Sequence, residues 1–208
     1  MGRIGHAVAR RGTAFDMQVS YHKRKPVEGS PYLYTESVHG LAQWADFLIV
    51  TVAGGEQTRH LIDANVLDAL GPTAFLINVA RGSVVDERAL VHALQDGRIA
   101  GAGLDVYEDD PRPYPGLEAM DNVVLAPHIG SGTHATRHAM ADWVLENIRT
   151  WPPRLPPTAL RRPGGFHRQL PGQRDLTYQH QLVAFVVAQG GAGGHDDVRR
   201  VPAHRLQA

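Results

Sequence analysis

Short continuous apolar runs alternate along the first 151 residues with stretches whose apolar positions recur every three to four residues, which predicts strands and helices in turn. A helix is expected from Arg3 to Thr13, a strand from Met17 to Tyr21, a helix around His39 to Ala45 and a strand from Phe47 to Val52. Asp63 is placed to cap a helix ending near Leu70, where Gly71-Pro72 stops it. A buried strand is expected over Thr73–Val79, a helix over Asp86–Gln95 with Leu90, Val91 and Leu94 on one face, and a strand over Ile99–Val106. Asn122–Ala126 reads as the last strand and Thr133–Trp151 as a long final helix. Strands that are apolar throughout, separated by helices, predict a parallel sheet covered on both faces. The fold class is therefore α/β, a doubly wound nucleotide-type fold.

The pattern changes near Trp151. Residues 152–208 hold seven of the fourteen prolines, seven of the 22 glycines and eight arginines against three aspartates, with no Lys or Glu. That segment carries a formal charge of +5 and leaves −5 on residues 1–151. Its lack of period predicts a mostly disordered or loosely attached tail. The exception is Leu182-Val183-Ala184-Phe185-Val186-Val187, a run able to form a strand, and an adhesive one if left unpaired. Two regions are expected: 1–151, a nucleotide-binding domain, and 152–208, the tail.

The whole chain has 21 basic and 21 acidic residues, so no global field favours nucleic acid or an anionic membrane. Cys is absent, which removes thiol chemistry, and the cytoplasm is the expected compartment. No apolar run is long enough for a membrane span, and the start lacks the pattern of a secretory leader.

Gly2-Arg3-Ile4-Gly5 opens the first helix, and such a loop lets a pyrophosphate approach backbone N–H groups at the positive end of the helix. After the second expected strand comes Tyr21-His22-Lys23-Arg24-Lys25. A dinucleotide fold often places there an acid that holds the ribose 2′-hydroxyl. Cations in its place suit a 2′-phosphate, so His22, Lys23 and Arg24 favour NADP(H) over NAD(H). A solvated basic turn is the plain alternative.

Three charged groups are expected at strand ends on the ligand side. Arg81, in Asn78-Val79-Ala80-Arg81-Gly82, suits a bidentate clamp on a carboxylate. His128, in Ala126-Pro127-His128, suits proton transfer near neutral pH, and Asp110 is placed to hold its second ring nitrogen. A metal site from His128, His134 and His138 ranks far behind, because HATRH lacks the glutamate of a zinc-protease motif, and no metal is expected.

GRIGHAVAR, LINVARGSVVDERALVHALQDGRIAGAGLDVYEDDP and NVVLAPHIGSGT together resemble the coenzyme-binding domain of the D-isomer-specific 2-hydroxyacid dehydrogenases, most closely the glyoxylate and hydroxypyruvate reductases. The resemblance implies a Rossmann-type sheet and NAD(P)H-dependent reduction of a short 2-oxo acid to the D-2-hydroxy acid. It implies Arg81 on the substrate carboxylate and His128 as the acid/base. Asp105, Val79, Ala80 and Gly130 are implied near the nicotinamide, Thr58 beside the cofactor, and a homodimer as the assembly. Asp110 stands where the family usually has Glu, so the partner of His128 is either Asp110 or the neighbouring Glu108.

The family's substrate domain and first strand have no counterpart in the sequence, so the sheet is expected to be incomplete, two half-sheets with unpaired edges. Met1 reads as an internal methionine of a longer ancestral frame and the tail as a frame change. Turnover by this chain alone is expected to be poor or nil, because no closing substrate domain excludes water from the cleft. The alternative reading is a non-catalytic dinucleotide-binding module or a decayed remnant of such an enzyme.

Overall fold

The computed structural model describes residues 2–150 and the strand 183–187. Two compact units are distinguished, Met1–His128 with Gln181–Ala208, and Ile129–His180. The boundary expected at Trp151 lies outside the described residues.

In the first unit the chain runs α1 (Arg3–Thr13), β1 (Val19–Lys23), β2 (Leu33–Thr35), α2 (Val38–Trp44), β3 (Phe47–Val50), α3 (Ala64–Leu70), β4 (Phe75–Asn78), α4 (Glu87–Gln95), β5 (Gly101–Leu104), β6 (Val123–Leu125) and, much later, β7 (Val183–Val187). Helix starts follow their local chemistry. Ser37 Oγ accepts the Gly40 N–H, Asp63 Oδ1 the Val66 N–H and Asp86 Oδ1 the Ala89 N–H, each at 3.0 Å, giving orphan amides of the first turn a partner. Gly2, at the N-cap of α1, brings no side chain to that task.

The sheet has the order β2-β1-β7-β3-β4-β5-β6. Every pair is parallel except those made by β7, which runs antiparallel to both β1 and β3. Phe185 is in register with Tyr21 on one side and Ile49 on the other. The apolar run of the tail therefore does form a strand, and it takes the central position that sequence reasoning left vacant. Two unpaired half-sheets were expected; instead β7 bridges them and satisfies the inner edges of β1 and β3, as backbone polar groups in a buried sheet require.

The main core lies among α2, α3, α4 and the sheet, with Leu41, Leu48, Ile62, Leu67, Leu76 and Leu90 fully enclosed. A smaller cluster of Ala9, Val19 and Tyr21 seats α1 against β1. β2 escapes the sequence pattern because it is short and half-exposed; Ser20 fastens it to β1 through Thr35 Oγ1 (2.7 Å) and the Leu33 carbonyl (3.1 Å). β1 is displaced two residues from the expected Met17–Tyr21, and β3, β4, β5 and β6 are shorter than the runs that announce them. Val52 and Val106 are buried but belong to loops leaving the sheet, so apolarity outlasts strand pairing at the carboxyl ends.

The second unit contributes α5 (His134–Thr150), where Thr133 Oγ1 accepts the Thr136 N–H at 3.1 Å. Among the described residues, no helix is long and apolar enough to cross a membrane.

Candidate active site

The loops leaving β3, β4, β5 and β6 build the site. After β3, the buried Thr58 donates its hydroxyl to the carbonyls of Ala53 (2.9 Å) and Gly55 (3.0 Å), closing the turn that carries Gly54. After β4, the buried Asn78 side chain accepts the Ala80 N–H and donates to the Arg81 carbonyl, both at 3.1 Å, so the backbone of Val79, Ala80 and Arg81 is clamped from inside. Arg81 itself is exposed, with Nη1 on the Ala80 carbonyl. No carboxylate pairs with it among the described residues. Gly54 sits over it so closely that a Cβ there would stand 2.6 Å from Arg81 Cγ.

After β5, the Asp105 N–H donates to the Asn78 carbonyl (3.0 Å), and the buried Tyr107 donates its phenol to the Ala126 carbonyl (2.7 Å). Burial pushes the Tyr107 phenol above its usual range, reinforced by the charges of Asp105, Asp110 and Glu87, so it stays a donor. Gly82 touches the Tyr107–Glu108 peptide; an added Cβ would lie 1.8 Å from the Tyr107 carbonyl. Asp110 Oδ2 accepts from His128 Nδ1 at 2.5 Å. His128 follows β6 with a φ of 54°, a conformation few non-glycine residues adopt and one that recurs at functional sites.

Gly54, Arg81, Gly82, Val106, Tyr107 and Asp110 line part of a cleft of about 360 Å³. Arg81 and Asp110 thus line one cleft, and Asp110 holds His128. Gly130 belongs to the second unit. At the far strands, His22 Nδ1 meets the Thr35 carbonyl at 2.9 Å and its ring stacks on Tyr34, while Lys23 ends β1 and Arg24 stands exposed just past it. At α1, Gly5 is buried in the helix, Arg3 and Ile4 are exposed, and a Cβ on Gly2 would meet nothing within 4 Å. The histidines read as a possible metal set do not converge: among the described residues no group of three or more His, Asp or Glu side chains is placed to hold an ion.

Sequence reasoning missed four contributors. Gly54 and Gly82 are needed for close approach, Tyr107 for a tie across two loops, and Glu87 for its buried carboxyl at the start of α4. The glycines flanking Arg81 in space were the available signal. Glu87 offered none, since an acid in a first helical turn ordinarily reads as a solvated dipole partner.

Comparison with known proteins settles the lineage. The D-isomer specific 2-hydroxyacid dehydrogenase NAD binding domain matches residues 1–130. The chain belongs to this family. It is 47% identical over 148 residues to glyoxylate/hydroxypyruvate reductase A of Arabidopsis thaliana, covering 71% of this chain and 47% of that protein. It is 49% identical over 148 residues to hydroxyphenylpyruvate reductase of Plectranthus scutellarioides, with the same coverage. Among solved structures, the NADPH-dependent glyoxylate/hydroxypyruvate reductase of Sinorhizobium meliloti, in complex with NADP and malonate, superposes with a TM-score of 0.71 at 50% identity, over 72% of this chain and 47% of that one. The chain spans about half the length of the relatives it matches.

Proposed function

We propose that the chain carries the coenzyme-binding half of an NADP(H)-preferring reductase that converts a short 2-oxo acid, glyoxylate or hydroxypyruvate, to the D-2-hydroxy acid, with NAD(H) as the weaker cofactor. The observation that carries the reading is a cleft lined by Arg81, which has no carboxylate partner among the described residues, and by Asp110, which holds His128. Its relatives include glyoxylate/hydroxypyruvate reductases, and one is NADPH-dependent by name.

The residues present fit a nicotinamide dinucleotide. The N-terminus of the eleven-residue α1 opens on unfilled space at Gly2. At the carboxyl end of β3, Thr51 Oγ1 is buried with no hydrogen-bond partner among the described residues. In this reading Gly2, Arg3, Ile4 and Gly5 face the pyrophosphate, and His22, Lys23 and Arg24 face the 2′-phosphate. Val79, Ala80 and Asp105 flank the nicotinamide, and Thr58 shapes the turn beside it. A reduced nicotinamide dinucleotide supplies the hydride that reduces the substrate's carbonyl carbon.

The chain's own groups do the rest. Arg81 binds the substrate carboxylate in a fork-to-fork pair and fixes which carbon faces the cofactor. His128, with Nδ1–H engaged by Asp110, is left with Nε2 to deliver a proton to the oxygen that becomes the hydroxyl. Asp110 orients the ring. A homodimer and a cytoplasmic setting complete the reading, on family grounds.

Steady-state NADPH oxidation with glyoxylate, compared between the parent chain and His128→Asn, tests it. A rate that depends on His128 supports it, and a rate indifferent to His128 overturns it. The second reading, dinucleotide binding without turnover, draws its support from β7, whose antiparallel course at the centre of the sheet departs from an all-parallel dinucleotide fold.

A further inference from the structure

Glu87 is 2% exposed, an unusual position for a carboxyl group, since burying it costs free energy unless something is gained from its oxygens. It is the first residue of α4, after the N-cap Asp86. Its Oε1 accepts the Glu108 N–H at 3.0 Å, a contact between residues 21 apart in sequence. Glu108 lies two residues before Asp110, within the loop that leaves β5. The same loop is tied on its other side by the Tyr107 phenol on the Ala126 carbonyl, two residues before His128. Gly82 closes against the Tyr107–Glu108 peptide with no room for a side chain. The Glu108 carboxylate is meanwhile drawn outward, to His60 Nε2 at 2.6 Å and Arg59 Nη2 at 3.5 Å. Without a fixed acceptor on its amide, the loop would be free to follow those two partners and carry Asp110 with it.

We propose that Glu87 is a positioning residue for the proton-transfer pair: by accepting the Glu108 N–H it fixes the loop from Asp105 to Asp110 and so keeps Asp110 on His128. This rests on the reductase reading for its purpose, and on the hydrogen-bond frame alone for its geometry. An apolar side chain of the same length fills the space but leaves the amide without an acceptor, while glutamine keeps the acceptor.

The test compares Glu87→Met and Glu87→Gln in the full 208-residue chain by NMR, reading the His128 Nδ1–H resonance and hydrogen exchange at the Glu108 amide. The parent and Glu87→Gln are expected to show a resolved His128 Nδ1–H signal and the same Glu108 exchange within twofold. Glu87→Met is expected to lose the signal and to exchange at Glu108 at least ~10-fold faster. A folded Glu87→Met chain with the parent's His128 signal overturns the proposal, as does a parent without that signal. Should Glu87→Met not fold, the parent decides: Glu108 protection in the class of the β4 and β5 amides supports the proposal, and exchange as fast as that of an open loop overturns it. The readout needs neither dinucleotide nor turnover. Failure of the reductase reading appears in rate assays, and failure of this proposal in the His128 signal.

Discussion

Asp110 and His128, eighteen residues apart, meet at 2.5 Å between the loops that leave β5 and β6. Asp110 lines the cleft, and in the proposed reaction the pair handles the proton. Asp110→Asn keeps the shape and removes the carboxylate that orients the imidazole. With NADPH and glyoxylate, kcat is expected to fall by about 10- to 100-fold, the usual cost of losing a partner that orients a reacting group. An unchanged kcat would remove Asp110 from the mechanism.

Gly54→Ala tests the arginine. The new Cβ would stand 2.6 Å from Arg81 Cγ, close to the backbone, so the whole side chain must swing. The expected outcome is a KM for the 2-oxo acid raised about 10-fold or more with little change in thermal stability, because displacement at a positioning residue weakens orientation more than folding. Gly82→Ala is expected to differ. Its Cβ would strike backbone at Tyr107, and stability should fall by roughly 1–3 kcal/mol in a denaturant titration.

Sequence pattern alone was enough to locate α1, α3 and α4 to within a residue or so, because their caps and apolar faces are local properties. It also put Arg81, Asp110 and His128 at strand ends; in the structure Arg81 and Asp110 line one cleft and His128 meets Asp110. What it could not give was pairing. Leu182–Val187 was recognisable as a strand, yet nothing local in those residues states that they enter between β1 and β3, or in which direction. Glu87 was illegible for a related reason: its burial depends on a loop 21 residues downstream folding back over α4.

Strand β7 makes a stability prediction. Phe185 pairs with both Tyr21 and Ile49, so Phe185→Pro removes a donor at the middle of the sheet. A loss of roughly 2–4 kcal/mol is expected in chemical denaturation, with faster hydrogen exchange along β1 and β3. If stability and exchange are unchanged, β7 is not part of the sheet in solution.

Burial raises the Glu87 carboxyl to about 7, helped by the charge of Glu108 and opposed by the Glu108 N–H it accepts. A folded-state value above the unfolded value of 4.5 means that the native chain binds the proton more tightly. The stability Glu87 contributes is therefore fully present below about pH 4.5 and is lost as pH rises through about 7. Glu87→Gln, neutral throughout, removes that slope and should be the more stable chain at pH 8 by on the order of 1–3 kcal/mol. Parallel stability–pH curves for the two chains would show that Glu87 is not the group responsible.

The most direct measurement is the rate at which the chain oxidises NADPH in the presence of glyoxylate, taken beside His128→Asn and Arg81→Gln. The expected result is a slow rate above the buffer control that falls by about 10² to 10⁴ in His128→Asn and shows a raised KM for glyoxylate in Arg81→Gln. A measurable parent rate that neither substitution changes would contradict the assignment of Arg81 and His128 to a 2-oxo acid reductase site, and a parent rate equal to buffer would favour dinucleotide binding without turnover.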